Sequence, residues 1–279
     1  MIEQATRDAS PALDERSLAL RRKIVDVLAS SRRGHVGAAF SLVEILRVLY
    51  DDVLQYDPHR PAWRDRDRFI LSKGHGCLAL YVLLAEKGFF SEQELDRFSM
   101  FDGILGGHPD ARKTPGVEAS TGSLGHGFAI GLGMALHARL EGAAHRVFVV
   151  VGDGECDEGA VWETAMAAGK HQVSNLAVIV DYNKMQSYGE TRRVQTLEPF
   201  ADKWHSFGFS VAEVNGHDVA ALRAALRMLP LDPNRPSAVI CHTIKGKGLP
   251  FAEQNAAWHH KSRINDETIA QLYAALERP

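Results

Sequence analysis

Two stretches of this chain, Val147-Phe-Val-Val-Val151 and Asn175-Leu-Ala-Val-Ile-Val-Asp181, restrict its fold more than any other feature, because their interiors are apolar at every residue. A strand with one wet face alternates apolar and polar residues. A strand that is apolar throughout has to be covered on both faces, as happens in a parallel sheet lying between two helical layers. A third run, Ser237–Cys241, and a shorter one, Arg68–Leu71, have the same character. A helix-sized segment, Glu158 to His171, separates the first two runs, so strand, helix and strand follow at the spacing of a βαβ unit. The expectation is an α/β fold with a doubly wound, mostly parallel sheet and helices on both faces. No Pro/Ser-rich linker, low-complexity stretch or internal repeat breaks the pattern, so residues 1–279 are expected to form one domain.

Helix signals fill the intervals. Ser10-Pro11, with Asp14 and Glu15 behind it, has the form of a helix start, followed by Leu18, Ile24, Val25 and Leu28 near helical spacing. Ser41 with Glu44 has the form of a capping box opening a helix over Leu42–Leu54, and Ser91 with Glu94 repeats it. Gly127, Gly131 and Gly133 fall at helical spacing and suit close helix packing. Residues 101–127 and 246–262 read as loop-rich. The basic runs Arg21–Lys23, Arg32-Arg33 and Arg64–Arg68 read as solvated faces, and Lys245 and Lys247 either as a phosphate-attracting pair or as part of a flexible surface loop.

Composition excludes several functions. A net charge of -3 gives no reason to expect nucleic-acid binding. Three scattered cysteines make neither a disulfide framework nor a zinc site, and a reducing cytoplasm fits them. No apolar run approaches the ~18 residues of a membrane span, and the segment Met1–Asp8 lacks the apolar stretch of a signal peptide.

The chemistry centres on Gly152-Asp153-Gly154-Glu155, directly after the first apolar run, and on Asn183-Lys184-Met185, directly after the second. Alone, Gly-Asp-Gly is more often a strand-ending turn than a site. The partner at strand–helix–strand distance changes that, because Asp153 and Asn183 then share the carboxyl edge of the sheet, where open α/β folds bind ligands. Glycines let the backbone approach a phosphate, and the helix starting near Glu158 would point its N–H groups there. A carboxylate and an amide oxygen are hard donors suited to Mg²⁺ or Ca²⁺.

With that pair in place the sequence resembles the thiamine diphosphate-dependent transketolases. Gly152-Asp153-Gly154 with Asn183 resembles their cofactor signature. Gly34-His35-Val36-Gly37, Asp67 to Gly76 with His75, Gly107-His108-Pro109, Thr121 to Gly127, His242 to Gly248 and Trp258-His259 resemble further family segments, in family order over nearly the whole chain.

The resemblance implies thiamine diphosphate as cofactor, with Mg²⁺ (or Ca²⁺ or Mn²⁺) held by Asp153, Asn183 and the Met185 carbonyl. Gly152, Gly154 and Glu155 would belong to the cofactor-binding turn. His75 and His259 would contact the diphosphate, while His35 and His108 would face the sugar. Gly122 and Leu124 would lie near the aminopyrimidine, and Glu158 in a glutamate network at a subunit interface. Phe89, Phe90, Phe128, Trp162 and Tyr188 are candidate interface residues. It further implies transfer of a two-carbon ketol group from a ketose to an aldose, their phosphates included. A full transketolase is more than twice this long, so the resemblance implies a C-terminal partner subunit, two of each chain forming a heterotetramer. His126, His260 and Val36 depart from the family pattern. Rival readings are a deoxyxylulose phosphate synthase-like or 2-oxo acid dehydrogenase-like subunit, and a non-catalytic chain keeping the fold.

Overall fold

In the computed structural model, which describes residues 11–277, the strands are β1 (Arg68–Leu71), β2 (Val147–Gly152), β3 (Leu176–Tyr182), β4 (Ser210–Asn215) and β5 (Ser237–His242). They form one parallel sheet in the order β1-β2-β3-β5-β4. The helices are α1 (Glu15–Ser31), α2 (Val36–Val48), α3 (Cys77–Glu86), α4 (His126–Leu140), α5 (Gly159–Lys170), α6 (Thr191–Val194), α7 (Phe200–Ser206), α8 (Val219–Arg227) and α9 (Asp266–Glu277).

Side-chain alternation divides the strands between two cores. Phe148, Val150, Ala177, Ile179 and Val239 pack beneath α1, α2, α3, α8 and α9. Val147, Val149, Val151, Val178, Val180 and Ile240 pack beneath α4, α5 and α7. All six residues of β2 and all seven of β3 are buried, which is why their sequences show no polar alternation. Each such valine or isoleucine contributes about 1.5–3 kcal/mol of transfer free energy. Gly131 lets α4 close on this sheet, since a Cβ there would lie 2.4 Å from Val149 Cγ2, and Gly127 does the same against Ser72. Gly133 opens onto nothing within 4 Å, so close packing requires only the first two glycines.

Several local expectations need correction. α1 starts at Glu15 because the Asp14 side chain accepts from the Ser17 N–H; Ser10 and the Met1–Asp8 segment lie outside the described residues. Ser41 caps no helix: α2 already starts at Val36, and the buried Ser41 hydroxyl donates to Asp181 instead, at 2.6 Å. Glu44 pairs with Arg21 at 2.6 Å, both fully buried, so Arg21 belongs to the core and not to a solvated face. Asp67 is likewise buried, against Arg146 at 2.8 Å. Ser91 does cap, but a short 3-10 turn, Glu92–Arg97. Phe128 is fully buried and Trp162 stacks on Phe207, which removes the first from any interface; Tyr188 is almost fully exposed. Among the described residues no helix is long and apolar enough to cross a membrane.

Candidate active site

Parallel pairing sets Gly152 beside Asp181 and Tyr182 beside His242, so the loops after β2, β3 and β5 leave the sheet together. Asp153 therefore follows the end of β2 and Asn183 the end of β3. Both are buried and line one cavity of about 230 Å³. The Gly154 N–H donates to Asp153 Oδ1 at 2.8 Å, and the Lys184 N–H to its other oxygen. Asn183 is oriented by its neighbours. Its Nδ2 donates to Asp181 at 3.2 Å, and its Oδ1 accepts from the Met185 N–H at 3.1 Å.

Burial pushes the Asp153 carboxyl up to about 7, and the nearby Asp181 carboxylate adds to the effect. Asp181 behaves oppositely. Burial raises it too, but the Lys73 ammonium, with hydrogen bonds from Ser41 and Thr243, brings it below the usual carboxylate range. Asp153 is thus the acid whose charge the chain leaves under-compensated. A divalent cation held by one carboxylate, one amide oxygen and one backbone carbonyl would supply the missing compensation, and hard oxygen donors of this kind suit Mg²⁺.

The histidines come from four separate segments. His35 stands at the start of α2, His75 sits in the turn before α3, His108 lies in the 101–127 loop, and His259 follows the turn Ala256–Trp258. The ring of His35 lies 5.5 Å from His75, 5.7 Å from His108 and 5.6 Å from His259, centre to centre. All four line the cavity with Gly122, Leu124, Gly152, Gly154 and Met185. Burial lowers His35 to about 4, helped by His260 and His108, and lowers His259 to about 3, helped by Lys245. His75 falls in the same direction for the same reason, followed by Lys73. Neutral imidazoles each offer one donor and one acceptor, as needed to hold hydroxyl groups and move protons at neutral pH.

Two of the expected residues stand apart. Glu155 is buried, but its carboxylate accepts from Ser72, from the Gly125 N–H at 2.9 Å and from the Gly152 N–H at 3.0 Å. Those bonds make it a brace beneath the turn, not a group lining the cavity. Glu158 is exposed at the start of α5, outside the cavity.

Three further residues join the site. Lys73 forms part of its wall through the Asp181 pair. Lys245, far from being in a flexible surface loop, is buried, with its Nζ 2.8 Å from His259 Nδ1 and 3.2 Å from the Met185 carbonyl. Burial, followed by Lys73, lowers it to about 8. His260 lies 4.5 Å from the His35 ring, in a segment tied down by paired hydrogen bonds between Gly34 and Lys261. Periodicity is blind to all three; only the doublet His259-His260 hinted at the last.

A larger cavity of about 710 Å³ adjoins this one near Tyr182, Phe200, Glu213 and His242. Among its polar groups Tyr182 pairs with Glu198, and His242 with Glu213 at 2.8 Å. The smaller cavity is the one that brings Asp153, Asn183 and the four histidines together.

Comparison with known proteins agrees with this geometry. Residues 14–277 match the family model described as transketolase, thiamine diphosphate binding domain. The chain is 38% identical to the 6-deoxy-6-sulfo-D-fructose transketolase subunit SqwG of Clostridium sp. (strain MSTE9), over 95% of this chain and 96% of that one. It is 42% identical to an apulose-4-phosphate transketolase subunit of Actinobacillus succinogenes, over 93% of this chain and 94% of that one. The solved transketolase from Leishmania mexicana superposes with a TM-score of 0.88 at 31% identity, over 97% of this chain but only 42% of the other. The chain thus spans less than half the length of that enzyme. Fold, cavity and sequence agree that this chain belongs to the transketolase family and carries its thiamine diphosphate binding domain.

Proposed function

We propose that this chain is the cofactor-anchoring subunit of a two-chain transketolase, active with a second subunit that completes the site. The observation that carries the reading is the convergence of His35, His75, His108 and His259 with Asp153 and Asn183 on one cavity at the carboxyl ends of β2 and β3. Relatives of matching length that are named as transketolase subunits support the two-chain arrangement; two copies of each chain would form a heterotetramer.

Asp153, Asn183 and the Met185 carbonyl would hold Mg²⁺, or Ca²⁺ or Mn²⁺ in its place, and the N–H groups of the turn at Gly154 would receive the diphosphate. Lys245 and His259 would flank that diphosphate. Because His259 Nδ1 faces the Lys245 ammonium, the imidazole proton sits on Nε2. Bound thiamine diphosphate would supply the nucleophilic carbon and the electron sink for ketol transfer. His35 and His108 would hold sugar hydroxyls and stabilise charge developing on the sugar oxygens. Two of the relatives are named for ketoses bearing a sulfonate and a phosphate, which supports a ketose with a terminal anion as donor. The free, buried cysteines Cys77, Cys156 and Cys241 support a reducing cytoplasmic setting.

The test is ketol transfer from xylulose 5-phosphate to ribose 5-phosphate with thiamine diphosphate and Mg²⁺, by this chain alone and with the candidate subunit encoded beside it. Activity in the mixture, lost in Asp153→Ala, supports the reading. Activity in the lone chain breaks the two-chain part. A mixture that neither binds thiamine diphosphate nor transfers ketol breaks the whole.

A further inference from the structure

A second buried charged cluster lies behind the cavity. Arg21, Glu44 and His217 come from α1, α2 and the turn after β4, and all three are buried. Arg21 binds Glu44 through two nitrogens, at 2.6 and 3.0 Å. His217 Nδ1 lies 2.8 Å from Glu44 Oε2, the oxygen that also accepts from Arg21 Nη2. Burial alone would raise Glu44, but Arg21 and His217 hold it well below the usual range, so it is an anion at every working pH. An anionic acceptor requires His217 to carry its proton on Nδ1, which leaves Nε2 as an acceptor.

Arg21 also donates to the Phe40 carbonyl at 2.9 Å and to the Ser17 carbonyl at 3.3 Å, and two further bonds of the network lead to one loop. His217 Nε2 accepts from the Ile244 N–H at 2.8 Å, and Arg21 Nε donates to the Lys247 carbonyl at 2.8 Å. Between these anchors the Gly246 N–H donates to the Gly37 carbonyl at 3.1 Å. Lys245 stands inside this strapped segment and is the residue that reaches His259 and the Met185 carbonyl. Gly216 permits the arrangement, because a Cβ there would lie 2.4 Å from Thr243 Cγ2, next to the loop.

We propose that His217 is a positioning residue for cofactor binding: by accepting from the Ile244 N–H while anchored on Glu44, it sets the Lys245 ammonium at the diphosphate end of the cavity. This rests on the proposed function above. The imidazole has two jobs that two amides separate. Asn places its N–H₂ where Nδ1 was, keeping the bond to Glu44 and losing the acceptor. Gln places its oxygen where Nε2 was, keeping the acceptor for Ile244 and losing the bond to Glu44.

The experiment is calorimetric titration of thiamine diphosphate, with Mg²⁺ present, into the complex of the full chain with its partner subunit. By analogy with supporting-shell partners of bound metals, affinity is expected to fall about 10-fold or more in His217→Asn and to stay within about 3-fold in His217→Gln. Urea midpoints are expected to drop in both variants. Equal losses of affinity, or no loss in Asn, would overturn the proposal, since a purely structural histidine does not distinguish the two amides. In a Lys245→Met background the group to be positioned is gone, so His217→Asn should weaken binding no further; additive losses would overturn the proposal too. Absence of binding by the unsubstituted complex would break the underlying reading instead.

Discussion

The chain buries two clusters of opposite charges, and they reach different ends. Behind the loop, the single carboxylate of Glu44 meets the Arg21 guanidinium on both oxygens and His217 on Oε2, and its charge is compensated. At the cavity, burial and the neighbouring Asp181 carboxylate raise Asp153, and Lys73 pairs directly with Asp181, which stays below the usual range. The first cluster is complete and acts as a strut. The second leaves Asp153 only partly ionised at neutral pH, in a cavity with room for a ligand. Burial and charge types are alike; what differs is that Glu44 pairs with a cation directly, whereas Asp153 accepts backbone N–H groups from Gly154 and Lys184. A buried acid with no cation paired directly to it is what the proposed metal site would require.

The sharpest way to break this comparison is to remove one partner from the complete cluster. Glu44→Ala strands the Arg21 guanidinium in the core, and urea denaturation should show about 3–5 kcal/mol of lost stability. The matching change at the cavity should behave in reverse. Asp153→Ala removes an uncompensated buried acid, so folding stability should change by less than about 1 kcal/mol, while ketol transfer by the complex falls more than about 100-fold, beyond the usual cost of losing a supporting partner. Loss of stability comparable with that of Glu44→Ala would put Asp153 among the struts.

Acid should separate the clusters further. His35 and His259 are lowered to about 4 and about 3 in the fold, against about 6.5 unfolded. Between those values the unfolded chain binds more protons, so stability rises with pH up to about 6.5 and flattens above it. Glu44 is anionic in the fold throughout this window and adds to the same slope only below about pH 5, where the unfolded glutamate takes up a proton. Asp153, raised to about 7, adds a slope of the opposite sign between about pH 4 and pH 7, so the imidazoles are read by difference: from pH 7 to pH 5 the melting temperature should fall more in the unsubstituted chain than in a His35→Asn variant, and identical profiles would show that His35 is not held neutral. The smallest effect should come from His260→Gly at the rim of the cavity beside His35. One lost hydrogen-bond donor of about 1 kcal/mol corresponds to a roughly five-fold rise in KM for the ketose at unchanged kcat.

Legibility in the sequence followed the range of the forces involved. β2, β3 and β5 could be read because a strand covered on both faces is apolar residue by residue, and Asp153 and Asn183 because the strand ends bring them to a common edge. Ser41 and Glu44 misled for the complementary reason: a capping box is a local pattern, and here both side chains answer to partners 140 and 23 residues away. Lys245 could be read equally as a phosphate-attracting group or as loop surface because its lysine and glycine neighbours are polar or small, yet its segment is held by Arg21, 226 residues from Lys247.

The sequence by itself determined the parallel α/β sheet, the positions of its central strands and the pairing of Asp153 with Asn183 across a βαβ unit, since burial pattern and strand–helix spacing are written in consecutive residues. Only the tertiary structure decided which of the 13 histidines converge, that Glu155 braces a turn and Glu158 stays outside the cavity, and that Arg21 and Lys245 are buried. Each of those outcomes depends on charges and hydrogen-bond partners brought together from distant segments, and the energy of burying a polar group is settled by the partner it meets there.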